Sequence, residues 1–263
     1  MFLPSKKIIT SRYKQRGNIV IRVLPGQDPF FGQVVLLLDA EEAGAGSKSI
    51  SPTVGPTFDA VEASGGVSEV STTEAKFGTR SLRSNDTTGL TKAYWEAAAA
   101  SADFGFGTGD FTIEYHVFFL AQRTNTFYFA IWDFGTDRAW AISLDSQNAG
   151  DYRTNMLYST NGTNSLGGLQ KGWGAGALNT WFHVAHCRDG NNLRHFADGV
   201  QAGATDDVTG ADFHTSTTIP LILQGGRNDG FQVQSFVDNI RITKGAARYT
   251  APFTPPDAEY PDF

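Results

Sequence analysis

Cysteine is almost absent from this sequence of 263 residues, since Cys187 is the only one. A single cysteine excludes an intramolecular disulfide, and it also excludes a zinc site built on several cysteine ligands. Cys187 lies in a strand-like run of residues, where we expect a buried apolar side chain and not a nucleophile.

Long apolar runs are also missing. No stretch approaches the ~20 residues that a membrane-spanning helix needs. The opening residues, MFLPSKKIITSRYKQR, lack the apolar run of a signal peptide. We therefore expect a protein that does not insert into membranes and that stays where it is made until it assembles.

Charged residues make up only 18% of the chain, and their signs are unevenly distributed. The net charge is −6, yet residues 1–27 hold six basic and no acidic residues, which leaves a net charge of −12 on the remainder. The six basic residues are Lys6, Lys7, Arg12, Lys14, Arg16 and Arg22. A basic segment attached to an acidic body suggests that this segment has its own partner.

Pro25 and Pro29 interrupt the chain before the first buried-looking strand. We therefore predict an extended basic N-terminal arm over residues 1–33 and one domain over residues 34–263. Nucleic acid is not the expected partner of the arm, because Tyr13 is the only aromatic residue among its charges. The alternative is a disordered tail with scattered positive charge.

The remaining composition favours an all-β protein. Aromatic residues reach 13% and there are 29 glycines, a mixture typical of sandwiches with many turns. Counted generously, about twelve short strands follow one another at the spacing expected of a two-sheet antiparallel sandwich. A helical insert is expected within residues 93–103, and a loop at residues 162–176. Pairing should stop before Pro255 and Pro256, which leaves a proline-rich C-terminal tail.

In two predicted strands, the alternation of side chains assigns each residue to one face of the sheet. The segment 111–120 places on one face Phe111, Ile113, Tyr115 and Val117. The segment 236–243 places on one face Phe236, Asp238, Ile240 and Ile242.

Five sequence segments carry a resemblance to a known family. They read VVLLLD at 34–39, AKFGTRSL at 75–82, FGTGDFTIEYHV at 106–117, NTWFHVAHCRDGNNLRHFADG at 179–199 and SFVDNIRITKGAARYTAPFTPP at 235–256. In this order they resemble the laminin-G/concanavalin-A-like jelly-roll domains found in many phage virion proteins. The resemblance implies a two-sheet antiparallel jelly-roll sandwich and a virion setting. It implies no particular ligand, because this fold hosts many functions.

Catalysis is not expected. A glycoside hydrolase needs two carboxylates that flank the scissile bond, but no strand carries acids at alternate positions, and Glu114 stands alone in its strand. His183 and His186 are three residues apart on a strand and so face opposite sides, which disfavours shared metal ligation. No G-x-S-x-G elbow occurs.

Two kinds of binding site are candidates. Trp95 and Trp173, in predicted insert and loop regions, could form an aromatic platform for a glycan. Calcium could bind at the rim through oxygen ligands, and the candidates are Asp206, Asp207, Asp229 and Asp238. The alternative for these acids is that aspartate is a common turn residue.

Together these features lead to the expectation of a phage virion structural protein, assembled in the host cytoplasm. Its laminin-G-like module would be displayed on the particle surface as a capsid or tail decoration, anchored by the arm, and could adhere to host-surface glycans. The expected partners are other virion proteins, in a homo-oligomer or symmetric array. The alternative is a tail fibre or receptor-binding carbohydrate-binding protein, although no heptad region or repeat is present to build a shaft.

Overall fold

The computed structural model describes residues 12–16, 19–23, 27–86, 92–121, 126–148, 151–167, 171–175, 178–228 and 231–262. Its strands are β1 (Arg12–Arg16), β2 (Ile19–Val23), β3 (Val34–Leu38), β4 (Ser49–Ile50), β5 (Phe58–Ala63), β6 (Val67–Ser71), β7 (Ser81–Asn85), β8 (Lys92–Ala97), β9 (Phe111–Phe119), β10 (Thr126–Asp133), β11 (Asp137–Asn148), β12 (Asp151–Tyr158), β13 (Leu166–Gly167), β14 (Lys171–Ala175), β15 (Trp181–Asp189), β16 (Asn192–Ala197), β17 (Val200–Gln201), β18 (Asp206–Asp207), β19 (Ile222–Leu223) and β20 (Gln234–Lys244). Short 3-10 helices lie at Phe31–Gln33, Ala40–Glu42 and Ala102–Phe104. No helix in these ranges is long and apolar enough to cross a membrane.

The strands form two large antiparallel sheets. Sheet I has the order β17-β16-β15-β9-β20-β7-β6, with β18 beside β16 and β3 beside β20. Sheet II has the order β13-β12-β11-β10-β19-β8-β5-β4, with β14 beside β12. Strands β1 and β2 pair only with each other within the described residues. The predicted all-β, jelly-roll-like sandwich of two antiparallel sheets is confirmed.

The core lies between the two sheets, and β9 shows how the sequence builds it. Its residues Phe111, Ile113, Tyr115 and Val117 all belong to the main buried cluster, as the alternation predicts. Burial of each large apolar side chain contributes about 1.5–3 kcal/mol. The intervening residues of β9 are also buried, because the C-terminal segment, residues 245–262, crosses the outer face of sheet I. Its residues Tyr249 and Phe253 pack there against Phe196.

The alternation predicted for β20 is wrong beyond Asp238. The pairing of β20 with β9 shifts register between Asp238 and Arg241, and Asn239 adopts a φ of +50°. An asparagine tolerates this left-handed conformation better than most residues. The bulge turns Ile240 and Ile242 into the core beside Val237, and it places Arg241 on the outer face with Asp238.

Two local predictions hold only in part. The first half of the expected helical insert, residues 93–97, belongs to strand β8, which pairs with β5 and β19, and the second half contains a 3-10 turn that begins at Ala102. The expected loop at 162–176 contains β13 and β14. By contrast, the β15–β16 hairpin forms as predicted, and Cys187 within it is fully buried.

Candidate ligand-binding cleft

A cleft of about 340 Å³ lies where β12 and β13 of sheet II approach β16 and β18 of sheet I. It is lined by Tyr158, Leu166, Gly167, Leu193, Asp206, Asp207 and Val208. These residues come from two separate regions of the chain, 158–167 in sheet II and 193–208 in sheet I, so the cleft exists only in the folded sandwich. Its volume falls within the range of about 300–1,000 Å³ that is usual for small-molecule sites.

One wall of the cleft is apolar and rigid. The ring of Tyr158 stacks on Phe213 with 4.2 Å between centroids and 6° between planes. The guanidinium of Arg188 lies 4.9 Å from the centroid of the Phe213 ring and donates hydrogen bonds to three backbone carbonyls. Leu166 completes the wall with 41% of its surface exposed. The wall therefore offers an ordered apolar surface to a ligand.

The polar end of the cleft is fixed by an ion pair. Lys171 Nζ lies 2.7 Å from Asp206 Oδ1, and His195 Nε2 lies 3.3 Å from Asp206 Oδ2. Burial opposes the ionisation of Asp206, but the hydrogen bonds from His195 and Lys171 outweigh it and lower the pKa of the carboxyl. Asp206 is thus an ionised side chain whose two oxygens are both held in place.

Behind His195 lies a second imidazole. His195 Nδ1 and His186 Nδ1 are 2.7 Å apart, and both side chains are fully buried. If His195 donates its Nε2–H to Asp206, its Nδ1 accepts the Nδ1–H of His186, which assigns both tautomers. Burial lowers the pKa of both imidazoles, so the pair is neutral. It orients Asp206 without adding charge to the cleft.

Asp207 supplies the exposed charge of the cleft. Its Oδ1 accepts hydrogen bonds from the hydroxyl of Thr209 at 2.6 Å and from the Thr209 backbone N–H at 2.9 Å. These bonds lower the pKa of the carboxyl. At neutral pH an ionised acceptor therefore stands at the mouth of the cleft.

The two tryptophans predicted as a glycan platform lie in different settings. Trp95 is in β8 and is 0% exposed within the main core cluster, so its assignment as an exposed platform is wrong. Trp173 lies in β14, two residues after Lys171, and its side chain is outside the described part of the chain. Its role stays a prediction.

The acids predicted to bind calcium do not converge. Asp206 and Asp207 are in the cleft, whereas Asp238 lies in β20, where it accepts hydrogen bonds from the backbone N–H groups of Lys76, Phe77 and Asn239. Burial raises the pKa of Asp238 to about 6. Asp229 lies outside the described residues. Across the residues that the structure does describe, no group of three His, Cys, Asp or Glu side chains could hold a metal ion.

The basic residues of the arm are mostly beyond structural description. Lys6 and Lys7 lie outside the described residues, and the backbones of the other four are in the β1–β2 hairpin. Those four are Arg12, Lys14, Arg16 and Arg22, and their side chains also lie outside the described part. Their contacts stay a prediction.

Glu114, the acid of the central strand β9, is inaccessible to a substrate. It is 0% exposed and lies 2.8 Å from Arg241, 2.9 Å from the hydroxyl of Tyr249 and 3.3 Å from His183. Burial opposes its ionisation, but the adjacent Arg241 outweighs burial and holds the pKa of Glu114 well below its usual range. His183 and His186 do face opposite sides of β15, as predicted, since His183 contacts Glu114 and His186 contacts His195.

Most of the cleft was not apparent from the sequence. Tyr158, Leu166 and Lys171 of sheet II meet His195 of sheet I only through the packing of one sheet against the other. One signal was present: Lys171 is the only charged residue between positions 159 and 180. A lone charge in a long glycine-rich stretch suggests a specific partner, and that partner is Asp206.

Comparison with known proteins extends the fold assignment. No protein-family model and no curated protein matches the chain. The binding domain of Paraclostridial Mosquitocidal Protein 1 is similar at a TM-score of 0.56 and 14% identity, covering 83% of this chain and 50% of that one. Domain 4 of AbnA, a GH43 extracellular arabinanase from Geobacillus stearothermophilus, was solved in complex with arabinotriose. It is similar at a TM-score of 0.51 and 14% identity, covering 82% of this chain and 94% of that one.

Trypanosoma rangeli sialidase is also similar, at a TM-score of 0.53 and 12% identity, covering 82% of this chain and 31% of that one. The chain thus spans half of the mosquitocidal binding domain and less than a third of the sialidase. At these identities the likeness shows the β-sandwich fold alone. The laminin-G assignment and the phage origin remain predictions.

Proposed function

We propose that this chain is a glycan-binding module and that the cleft beside Tyr158 is its binding site. The observation that carries the proposal is the pairing, in one cleft, of an apolar wall with a fixed polar end. Sugars present an apolar C–H face together with hydroxyl groups, and sites with a few fixed polar groups on an apolar surface suit them. Tyr158 and Leu166 offer the apolar surface, while Asp206 and Asp207 accept hydrogen bonds from hydroxyls.

The structural neighbours support this proposal. One is the binding domain of a mosquitocidal protein, and another was solved in complex with arabinotriose. We favour binding over catalysis, because Glu114 is sealed beneath other side chains and both oxygens of Asp206 are held by Lys171 and His195. A glycosidase would need a second accessible carboxylate placed for attack or proton transfer.

The biological setting that we propose is the surface of a phage particle. The sequence segments that resemble virion jelly-roll domains support this setting, and so does the basic segment before the body. Strands β1 and β2 form a hairpin that pairs with neither body sheet within the described residues. An isolated two-stranded hairpin is only marginally stable in water. We propose that the arm at residues 1–33 docks through its basic residues on acidic surfaces of neighbouring virion proteins in a symmetric array, while Asp28 near its end pairs with the body. The body at 34–263 would contact host-surface glycans.

The alternative, a receptor-binding protein of a tail fibre, uses the same cleft. The two settings differ in where the arm attaches: to capsid or tail decoration sites in the first, and to a fibre in the second. Replacing the six basic arm residues by glutamine in the full chain should abolish attachment to stripped particles while glycan binding persists. Unchanged attachment would remove the docking role of the arm.

The cleft itself can be tested with a matched pair of leucines. Leu166 and Leu178 are exposed by 41% and 37%, but only Leu166 lines the cleft. On a glycan array, Leu166→Ala should weaken the bound signals by about tenfold, which corresponds to loss of much of one apolar contact. Leu178→Ala should bind as the wild type does. Equal binding by both variants would show that glycans, if bound, use another surface.

A further inference from the structure

We infer that the cleft selects neutral glycans and discriminates against sugars that carry a carboxylate. This inference rests on the proposed function, since it concerns the ligand class of the same site. It follows from the charges that line the cleft and from the ion pairs and hydrogen bonds that the nearby cationic side chains already make within the protein.

The sequence segments that frame the cleft contain few charged residues, and most of these are acidic. Between positions 159 and 180 the single charged residue is Lys171, and positions 200–218 contain no lysine or arginine. The latter segment does contain three acids, Asp206, Asp207 and Asp212. Asp206 and Asp207 line the cleft and Lys171 offsets one of them, so the cleft carries a net charge of about −1.

Lys171 is not available to pair with a ligand carboxylate. Its side chain is 9% exposed, and its ammonium is 2.7 Å from Asp206. Its methylene chain packs tightly over Gly203, where an added Cβ would lie 2.8 Å from Lys171 Cδ. Turning Lys171 toward a ligand would leave Asp206 partly buried without this partner, which is costly.

Arg188 is likewise not available to pair with a ligand carboxylate. It is 2% exposed, lies beneath Phe213, and uses its N–H groups on three backbone carbonyls, those of Gly107, Gly190 and Ala211. The imidazole of His195 is neutral because burial lowers its pKa. His214 lies 2.9 Å from Asp137. Each of the four side chains Lys171, Arg188, His195 and His214 therefore already has a partner in the protein.

Asp207 then determines the selectivity. An exposed carboxylate accepts charge-assisted hydrogen bonds from sugar hydroxyls, which favours neutral ligands. A ligand carboxylate in the same small cleft would lie close to Asp207, and like charges a few ångströms apart repel at any protein dielectric. At low salt we expect a neutral glycan to bind about tenfold tighter than its acidic counterpart, with the ratio shrinking as salt screens the exposed charge.

The test compares a galactose-terminated trisaccharide with the same trisaccharide oxidised to the terminal galacturonate, and with its sialylated form. Titration of the full-length protein should show the neutral sugar binding about tenfold tighter. Asp207→Asn should narrow this ratio several-fold, mainly by improving the binding of the acidic sugars. The control is Asp257→Asn, which removes an exposed acid of the C-terminal segment and should leave the ratio unchanged.

The outcomes separate this inference from the proposed function. If acidic sugars bind as tightly as neutral ones and Leu166→Ala weakens both, the cleft binds glycans but the charge selectivity is refuted. If Asp207→Asn leaves the ratio at its wild-type value, the role assigned to Asp207 is refuted. If none of the three sugars and no other glycan on the array binds, the proposed function fails and this inference fails with it.

Discussion

Arg248 and Asp28 form a bidentate ion pair that joins the end of the arm to the segment that follows β20 in the body. Arg248 Nη1 lies 2.8 Å from Asp28 Oδ1, and Arg248 Nη2 lies 2.7 Å from Asp28 Oδ2. Their side chains are only 7% and 2% exposed. Asp28 precedes β3 and Arg248 follows β20, so the pair holds the N-terminal and C-terminal segments on one face of sheet I.

The pair belongs to a larger buried network. Arg241 lies 3.2 Å from Asp28 and 2.8 Å from Glu114, and its guanidinium stacks 3.9 Å from the centroid of the Tyr260 ring. Two carboxylates thus face two guanidinium groups, which compensates their charges under the C-terminal segment. Burial opposes the ionisation of Asp28, but hydrogen bonding to Arg248 outweighs it and lowers the pKa of the carboxyl.

Breaking this pair should destabilise the fold strongly. Asp28→Asn leaves Arg248 and Arg241 buried with one carboxylate between them, and removal of one partner of a buried pair costs about 3–5 kcal/mol. The measurement is the free energy of unfolding in urea, with tryptophan fluorescence as the signal. As a control, Asp189→Asn breaks a pair with Arg194 at 3.8 Å in which Asp189 is 47% exposed, so it should cost at most about 1 kcal/mol. A loss below about 1 kcal/mol for Asp28→Asn would contradict the stabilising role of the network.

Asp238 should give the protein a measurable pH dependence. Burial raises the pKa of its carboxyl from 3.8 in the unfolded chain to about 6 in the folded protein. The folded state therefore binds this proton more tightly than the unfolded state does. The contribution of Asp238 to the free energy of unfolding grows as pH falls from about 7 to 4, and it is lost as pH rises through 6. The contribution is about 2–3 kcal/mol.

Asp238→Asn removes this titration while keeping an oxygen that can accept a backbone N–H. We expect the stability advantage of the wild type over Asp238→Asn to be about 2 kcal/mol larger at pH 4.5 than at pH 7, because only the wild type gains from protonation of Asp238. The measurement is a series of urea titrations across that range, with Asp189→Asn as the exposed control. An identical pH slope in Asp238→Asn and wild type would show that Asp238 does not titrate there.

Gly199 should control the docking of the C-terminal segment. Gly199 has a φ of +76°, and an added Cβ would lie 1.9 Å from the carbonyl oxygen of Phe253. Phe253 packs over the cluster that contains Cys187, and burial raises the pKa of this thiol to about 12. Gly199→Ala must therefore displace the segment and expose the thiol.

The readout is the rate at which Cys187 reacts with a thiol reagent in the native protein. Gly199→Ala should increase that rate by at least about tenfold, because a local opening of the segment becomes easier. Gly190→Ala is the matched control, since Gly190 also has a positive φ of 58° but an added Cβ there meets nothing within 4 Å. Equal rates in the two variants would mean that backbone strain, and not the collision with Phe253, governs the reactivity.

The sequence predicts those parts of the fold that depend on local pattern. Alternation along β9 identifies its core residues because no bulge interrupts that strand. The same reasoning fails in β20, since one left-handed residue, Asn239, reverses every face after it. It fails for Trp95 as well, because the alanine run after it suggests an exposed helical insert, whereas Trp95 itself lies in the paired strand β8 and is buried. The cleft and the Asp28–Arg248 pair depend on contacts between segments that are far apart in the sequence, and no local pattern encodes these contacts.

Lys171 should determine how well Asp206 is positioned for a ligand. Lys171→Gln removes the ammonium group that lies 2.7 Å from Asp206, while the hydrogen bond between His195 and Asp206 stays. The carboxylate loses its fixed position and the cleft becomes more negative, so we expect the neutral trisaccharide to bind about tenfold more weakly. The affinity for acidic sugars should fall more than the affinity for neutral ones, because the more negative cleft repels the carboxylate of an acidic sugar more strongly. Lys48→Gln, at an exposed lysine that pairs with Glu62, should change neither affinity. If Lys171→Gln folds and binds the trisaccharide with wild-type affinity, the ion pair is structural only, and recognition depends on Tyr158 and Leu166.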